Sequence, residues 1–207
     1  MTHATYEAGF GSGSRSYESA SRDLGMTPSV FRAGGAGMTL RYTAVPTAVG
    51  LMLVAATDRG LASVSLGAKE TSLVTRLKRT FPNAVLCRDR QGLKTAVHHL
   101  LHCLNGNGRP GPLPLDITAT VFQRKVWAAL QDIPRGSTRT YREIAEALGR
   151  PTAVRAVARA CATNPIAVAI PCHRVVREDG RPAGYRWGVG RKKRLLELEC
   201  GTAPAAE

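Results

Sequence analysis

A Gly- and Pro-rich run, "GNGRPGPLPLDI" from Gly106 to Ile117, divides this chain into two stretches with different patterning. Ahead of it, "MTLRYTAVPTAVGLMLVAATDRGLASVSLG" carries two β-prone runs around Asp58-Arg59-Gly60, a hairpin signal. Two helical segments follow, one with Leu73, Leu77 and Phe81 on a face and one with Leu93, Val97, Leu100, Leu101 and Leu104. Behind the linker the period is helical almost throughout. Phe122, Val126, Leu130 and Ile133 share a stripe, and "TYREIAEALGRP" opens on a capping box of Thr140 and Glu143 and stops at Gly149 and Pro151. A small-residue helix, "TAVRAVARACATN", comes next, which gives the layout of a helix-turn-helix. The expected fold is α/β (α+β), with a small sheet domain with packed helices over 38–113 and a mostly helical domain over 115–200. Its sheet is expected to be antiparallel. Residues 1–36 form a separate Gly- and Ser-rich segment, in which Thr27 before Pro28 reads as a helix start, and 201–207 form a tail.

The formal charge of +14 over 207 residues points to a polyanionic partner, although a general excess of arginine would give the same balance. Residues 1–114 and 115–207 each contribute +7, so charge does not locate the site. No apolar run approaches the roughly 20 residues of a membrane span. The N-terminus lacks the apolar centre of a secretory signal, and a cytoplasmic location is expected. The five cysteines include no C-x-x-C pair, which speaks for free thiols rather than a disulfide framework or a four-cysteine zinc site. His98 and His102 stand at helical spacing beside His99, but no third ligand is evident, and no metal or other cofactor is expected.

The chemistry concentrates in "NPIAVAIPCHRVV", Asn164 to Val176. A free thiol has a pKa of about 8.5 and is mostly protonated at neutral pH. His173, Arg174 or a helix N-terminus next to Cys172 is expected to lower that value and create a soft nucleophile that prefers carbon. The dipeptide alone is also compatible with a cysteine hydrolase or a structural thiol. Alanines in the preceding helix make it thin enough to enter a groove of DNA, with Arg155 and Arg159 as phosphate partners; packing of the same stripe on the domain is the other reading.

The string as a whole resembles the active-site motif of O6-alkylguanine-DNA alkyltransferases. The likeness runs from about Leu40 to Glu199, through "LPLDITATVFQRKVWAALQDIPRGSTRTY", "AVRAVARACATN" and "GYRWGVGRKKRLLELE", in the order of Ada-type proteins. Residues 6–34 resemble the closing helix-turn-helix of an AraC-type module, without its first half and without the cysteine-rich zinc domain of Ada. The resemblance implies a ribonuclease-H-like sheet domain ahead of the winged helix. It implies irreversible, single-turnover transfer of a methyl or alkyl group from O6-methylguanine, and also from O4-methylthymine, in double-stranded DNA to Cys172. In that scheme His173 takes the thiol proton through a water, Glu199 holds the histidine, and Asn164 braces the turn. Arg155 fills the stack when the base rotates out, and Tyr141 crowds the 3′ phosphate. Thr152, Ala156 and Arg159 complete the DNA-facing set. Tyr185, Arg186, Val168 and Pro171 border the base pocket, and Trp187 narrows it. Cys161 is expected to pack. A monomer acting as a repair protein, with 1–36 dispensable for transfer, is the implied whole. The alternative is a lesion-sensing or transcription-regulatory DNA-binding protein, against which the presence of Cys172 argues.

Overall fold

The computed structural model describes residues 26–106, 113–182 and 184–201. The helix expected in "SRSYESASRDLG", half of the Gly/Pro linker and the tail from 202 onward lie outside the described residues.

The first β-prone run is two strands, β1 (Thr39–Thr47) and β2 (Gly50–Thr57), because Ala48-Val49 forms a second tight turn in which Thr47 Oγ1 donates to Gly50 O at 2.6 Å. Asp58-Arg59 turns the chain into β3 (Gly60–Gly67), as expected. Helix α2 (Glu70–Thr80) then crosses back over the sheet and delivers β4 (Val85–Arg88) beside β1. The sheet order is β3-β2-β1-β4, and β4 pairs with β1 in parallel, so the sheet is mixed rather than wholly antiparallel. A helical crossover reverses the chain a second time, which is what makes a parallel neighbour possible.

Strand β2 is buried on both faces and reads as the apolar run "LMLVAA" for that reason. Its alternate residues separate two apolar clusters. Leu53 and Ala55 face α2 through Leu73, Leu77 and Phe81. Met52, Val54 and Ala56 face the other way, against Leu100 and Leu104 of α3 (Lys94–Asn105) and a cluster that continues through the C-terminal half to Leu195. The sheet therefore serves as the floor on which the second half of the chain is built.

That half comprises α4 (Val121–Gln131), α5 (Tyr141–Ala147), α6 (Val154–Thr163) and α7 (Val189–Glu199), with two-residue strands β5 (Arg139–Thr140) and β6 (Val175–Val176) pairing in parallel. The capping box at Thr140 and Glu143 forms as expected, and a second one at Thr120 and Gln123 starts α4. Trp127 on α4 donates its indole N–H to Ala160 O at 3.0 Å, locking α4 to α6. Arg135 donates to the carbonyls of Cys103, Leu104 and Leu198 at 2.9–3.1 Å, so one guanidinium ties the C-terminal turns of α3 and α7 together.

Two backbone seams join the halves along the open edge of β3. Leu61 N donates to Pro114 O and receives Asp116 N at its own carbonyl, both at 2.8 Å. Val64 N donates to Pro165 O, and Ala167 N returns to Val64 O, both at 2.9 Å. Gly60 permits the first seam, since a β-carbon at its φ of 152° would collide with the Pro114 backbone. No helix of the described residues is long and apolar enough to cross a membrane.

Helix α1 (Pro28–Arg32) begins as expected, with Thr27 capping Val30 N at 3.3 Å and proline in the first turn. It is attached to the sheet rather than separate from it. Met26 is buried against the α2 cluster, Phe31 meets Phe81 edge-on at 6.0 Å, and Thr118 donates to Met26 O at 3.2 Å. Removing 1–36 is expected to cost roughly 2–4 kcal/mol more than removing 1–25, because it exposes Leu73, Leu77 and Phe81, taking full burial of a large apolar side chain as about 1.5–3 kcal/mol. Denaturant unfolding of the two deletions measures the difference. Equal stabilities would mean that the Met26–Phe31 contacts carry no weight.

Candidate active site

Asn164 ends α6 and aims its side chain at three groups. Its amide nitrogen donates to Ile170 O at 2.8 Å and to Cys172 Sγ at 3.2 Å, and its oxygen accepts from Ile166 N at 2.9 Å. Between these bonds Val168 is held at φ 70°, a left-handed conformation that a β-branched residue seldom adopts. The turn is thus cross-braced from inside, and it delivers Pro171 and Cys172 to the site.

Cys172–Arg174 is a single 3-10 turn, not the extended segment implied by its apolar flank. The turn sends Cys172 toward Asn164 and His173 toward the C-terminal helix. His173 Nε2 lies 2.8 Å from Glu199 Oε1. Arg174 holds the same carboxylate with Nε at 2.9 Å and Nη2 at 2.8 Å, and it donates to Ile133 O at 2.7 Å. These contacts hold the Glu199 carboxyl at about 2, against burial. Burial keeps the His173 imidazole below its ordinary value, so it is neutral at rest. Its Nδ1 is buried and has no partner among the described residues.

The expected lowering of the thiol pKa is reversed. Burial pushes Cys172 up to about 11, and the Asn164 hydrogen bond and the Lys192 ammonium offset this only in part. Arg174 is committed to Glu199 and cannot serve the thiol. Lys192, on α7, is fully buried and donates to Val175 O. It escaped notice in the sequence, although Lys192, Leu195 and Glu199 share one helical face.

Cys161 is buried on α6 and pushed up to about 12 by burial and by the neighbouring Cys172, which agrees with a packing role. Tyr141 is raised to about 12 by burial and then by both thiols. Tyr185 packs edge-on against buried Trp187 at 5.0 Å. The Tyr185 hydroxyl and the Trp187 indole N–H are both buried without partners among the described residues, and burial holds the phenol well above its ordinary value. Arg186 turns away from this pair. Its Nη1 donates to Thr163 O and Asn164 O, capping the last turn of α6.

Thr152, Arg155, Ala156 and Arg159 lie together on the exposed side of α6 and of the 3-10 turn that precedes it, while Val157, Ala160 and Cys161 face the core. The alanine stripe is divided between these sides. An open cleft of about 380 Å³ separates Tyr141 and Val154 from a turn over Arg177–Asp179, the position of a wing. His98 and His102 stack at 4.2 Å, and no group of three His, Cys, Asp or Glu among the described residues is arranged to hold a metal ion.

Residues 121–201 match the family model for the DNA-binding domain of 6-O-methylguanine DNA methyltransferase. The bifunctional transcriptional activator/DNA repair enzyme Ada of Escherichia coli is 44% identical over 200 residues, which cover 97% of this chain and 56% of that protein. The chain thus spans about half the length of several curated relatives it matches. A methylated-DNA–protein-cysteine methyltransferase of Methanosarcina barkeri is 37% identical over 76% of this chain and 96% of its own length. Mycobacterium tuberculosis OGT, solved in complex with DNA, superposes with a TM-score of 0.64 at 34% identity, covering 81% of this chain and 96% of that one. With a cross-braced Cys-His turn in place and nearly the whole of a relative aligned to it, the chain belongs to the methylated-DNA–protein-cysteine methyltransferase family.

Proposed function

We propose that this chain repairs double-stranded DNA by direct reversal, moving the methyl or alkyl group of O6-alkylguanine to Cys172 in a single turnover. The observation that carries the reading is the Cys172 thiol, buried and hydrogen-bonded by Asn164 at 3.2 Å beside a His173–Glu199 pair and an unpartnered Tyr185 hydroxyl. The DNA complex of the mycobacterial relative supports the choice of partner. A monomer working in the cytoplasm, with 38–113 as the sheet domain and 115–200 as the alkyltransferase domain, completes the proposal.

The alkyl carbon cannot be reached within the base stack, so the base must leave it, at a cost of a few kcal/mol. Arg155, exposed on α6, offsets part of that cost by entering the vacated space, while Thr152, Ala156 and Arg159 follow the groove. The thiol gives its proton toward His173 Nδ1 through a water, and Glu199 and Arg174 fix the ring. The sulfur then bonds the alkyl carbon as the carbon–O6 bond breaks. Negative charge grows on the base, and the Tyr185 hydroxyl, kept as a phenol, donates to it. The proton lost by Cys172 ends on guanine. Val168 and Pro171 wall the pocket, and the thioether product has no leaving group, which makes transfer final.

Intact mass settles the class. Incubation with DNA containing O6-methylguanine should add one methylene to the wild-type chain and nothing to Cys172→Ser; an unchanged wild-type mass on freshly reduced protein refutes the proposal.

Arg155→Ala separates flipping from chemistry. Transfer from duplex should fall at least tenfold, a loss of about 1.4 kcal/mol, while reaction with free O6-methylguanine base should hold its rate. Equal losses on both substrates assign Arg155 to structure instead.

Stability should fall on both sides of neutrality. The lowered His173 and Glu199 values mean that the folded state binds fewer protons than the unfolded one, from about pH 6.5 down to about 2, so stability is lost as pH falls through that range. The raised Cys172 value reverses the sign. The folded state keeps a proton that the unfolded chain releases, so stability is lost from about 9 toward about 11. Denaturant midpoints of Cys172→Ser should show a shallower alkaline decline and the same acid decline. An identical alkaline slope would place the thiol outside the buried site.

A further inference from the structure

We propose that a cavity between Arg76 on α2 and Arg186 in the lesion-pocket loop binds a backbone phosphate of DNA, which extends the DNA interface from the recognition helix onto the sheet half of the chain. The proposal rests on the DNA-repair reading above. The cavity holds about 90 Å³; Arg76 and Arg186 line it together with hydroxyl-bearing residues, and Met26, Phe31, Leu77 and Phe81 are among its apolar lining. A single water needs roughly 10–15 Å³ by the same measure, so the space exceeds one water several times over.

Arg76 Nη1 lies 3.4 Å from Arg186 O, and Arg186 Nη1 is spent on the carbonyls of Thr163 and Asn164. Two cations thus share one wall, and no carboxylate lines the cavity among the described residues. Burial, and then the Arg76 cation, holds the Arg186 guanidinium below its ordinary value, the sign of a charge that an anion would relieve. The Thr80 hydroxyl on these walls donates to Arg76 O at 3.1 Å, that of Thr163 donates to Arg159 O at 2.9 Å, and Ser63 and Ser65 pair at 3.4 Å, so recognition of an anion falls to the guanidiniums. Two guanidiniums suit a phosphate oxygen better than a cationic ligand.

Position selects the phosphodiester over a free anion. The exposed side of α6 runs through Arg155 and Arg159 to Thr163, whose carbonyl Arg186 caps. Arg155 and Thr163 are eight residues apart, about 12 Å along a helix, or roughly three to four base-pair steps of 3.4 Å. A strand lying along α6 therefore meets the Arg76–Arg186 pair at its far end.

The test compares wild type, Arg76→Ala and Arg76→Lys on undamaged duplex DNA across salt concentrations, with melting temperatures in the presence and absence of inorganic phosphate. One lost phosphate contact lowers the slope of log affinity against log salt by about 0.9, roughly threefold between 50 and 200 mM. The proposal requires that loss in Arg76→Ala, recovery in Arg76→Lys, and an unchanged rate with free O6-methylguanine base. An unaltered slope in Arg76→Ala overturns it. So does an unaltered slope combined with phosphate raising the melting temperature of wild type but not of Arg76→Ala, which would identify a free-anion site. Undamaged duplex needs no methyl transfer, so failure of the repair reading appears separately, as an absent mass gain on Cys172.

Discussion

Asn164 is the residue on which the site depends. A primary amide offers two donors and an acceptor in a fixed plane, and here that plane spans the turn from the end of α6 to the nucleophile. Buried polar groups are costly when unpaired, about 1–3 kcal/mol each, so the turn has little freedom to open without losing several bonds together. The left-handed backbone at Val168 is tolerated because the bonds around it outweigh its cost, of the order of 1–3 kcal/mol. Strain at this position and its bracing are the same feature seen from two sides. The chain must reverse sharply enough to bury a thiol next to the end of α6.

The charges follow a similar economy. Glu199 is shared by His173 and Arg174, and it comes from the last turn of α7, whose carbonyl at Leu198 is held by Arg135. Any shift of α7 therefore moves the carboxylate, the imidazole and the α3 terminus as a unit. Lys192 on the same helix supplies the cation that faces the thiol, a task that Arg174 cannot perform. A thiol held neutral at rest resists adventitious oxidation, since the thiolate is the reactive form. In the proposed reaction, activation is left to the moment when a flipped base closes the pocket and His173 can take the proton.

Much of this was legible in the residues. The Asp58-Arg59-Gly60 hairpin, the Thr140 capping box and the exposed side of α6 are set by local chemistry, and local chemistry is what a single sequence displays. Non-local pairing was not. The parallel placement of β4 depends on where α2 lets the chain down, and "VLCR" carries no trace of that choice. The thiol pKa was misjudged in sign because sequence neighbours stood in for spatial ones. Arg174 follows Cys172 by two positions yet serves Glu199, whereas Lys192, twenty positions away, faces the sulfur. Arg186, expected at the rim of the pocket, also caps the last turn of α6 with its guanidinium, a non-local contact that the sequence does not display.

The seams along β3 explain why the sheet half accompanies the chemistry. Pro165 and Ala167 lie just behind Asn164, and both are bonded to Val64, so the edge of a sheet is one anchor of the active-site turn. On the opposite face of the same sheet Leu53 and Ala55 are packed by α2, which carries Arg76. Force applied at the end of α6 is thereby resisted by a four-stranded sheet rather than by a loop. In the proposed reaction, rotating a base out of the stack would do mechanical work against the protein as well as the duplex, and a turn free to yield would dissipate it. With the turn bonded to a strand that is buried on one face against the C-terminal core, that work would be directed into the base instead, which is the condition the proposed transfer sets for presenting an alkyl carbon to a buried sulfur.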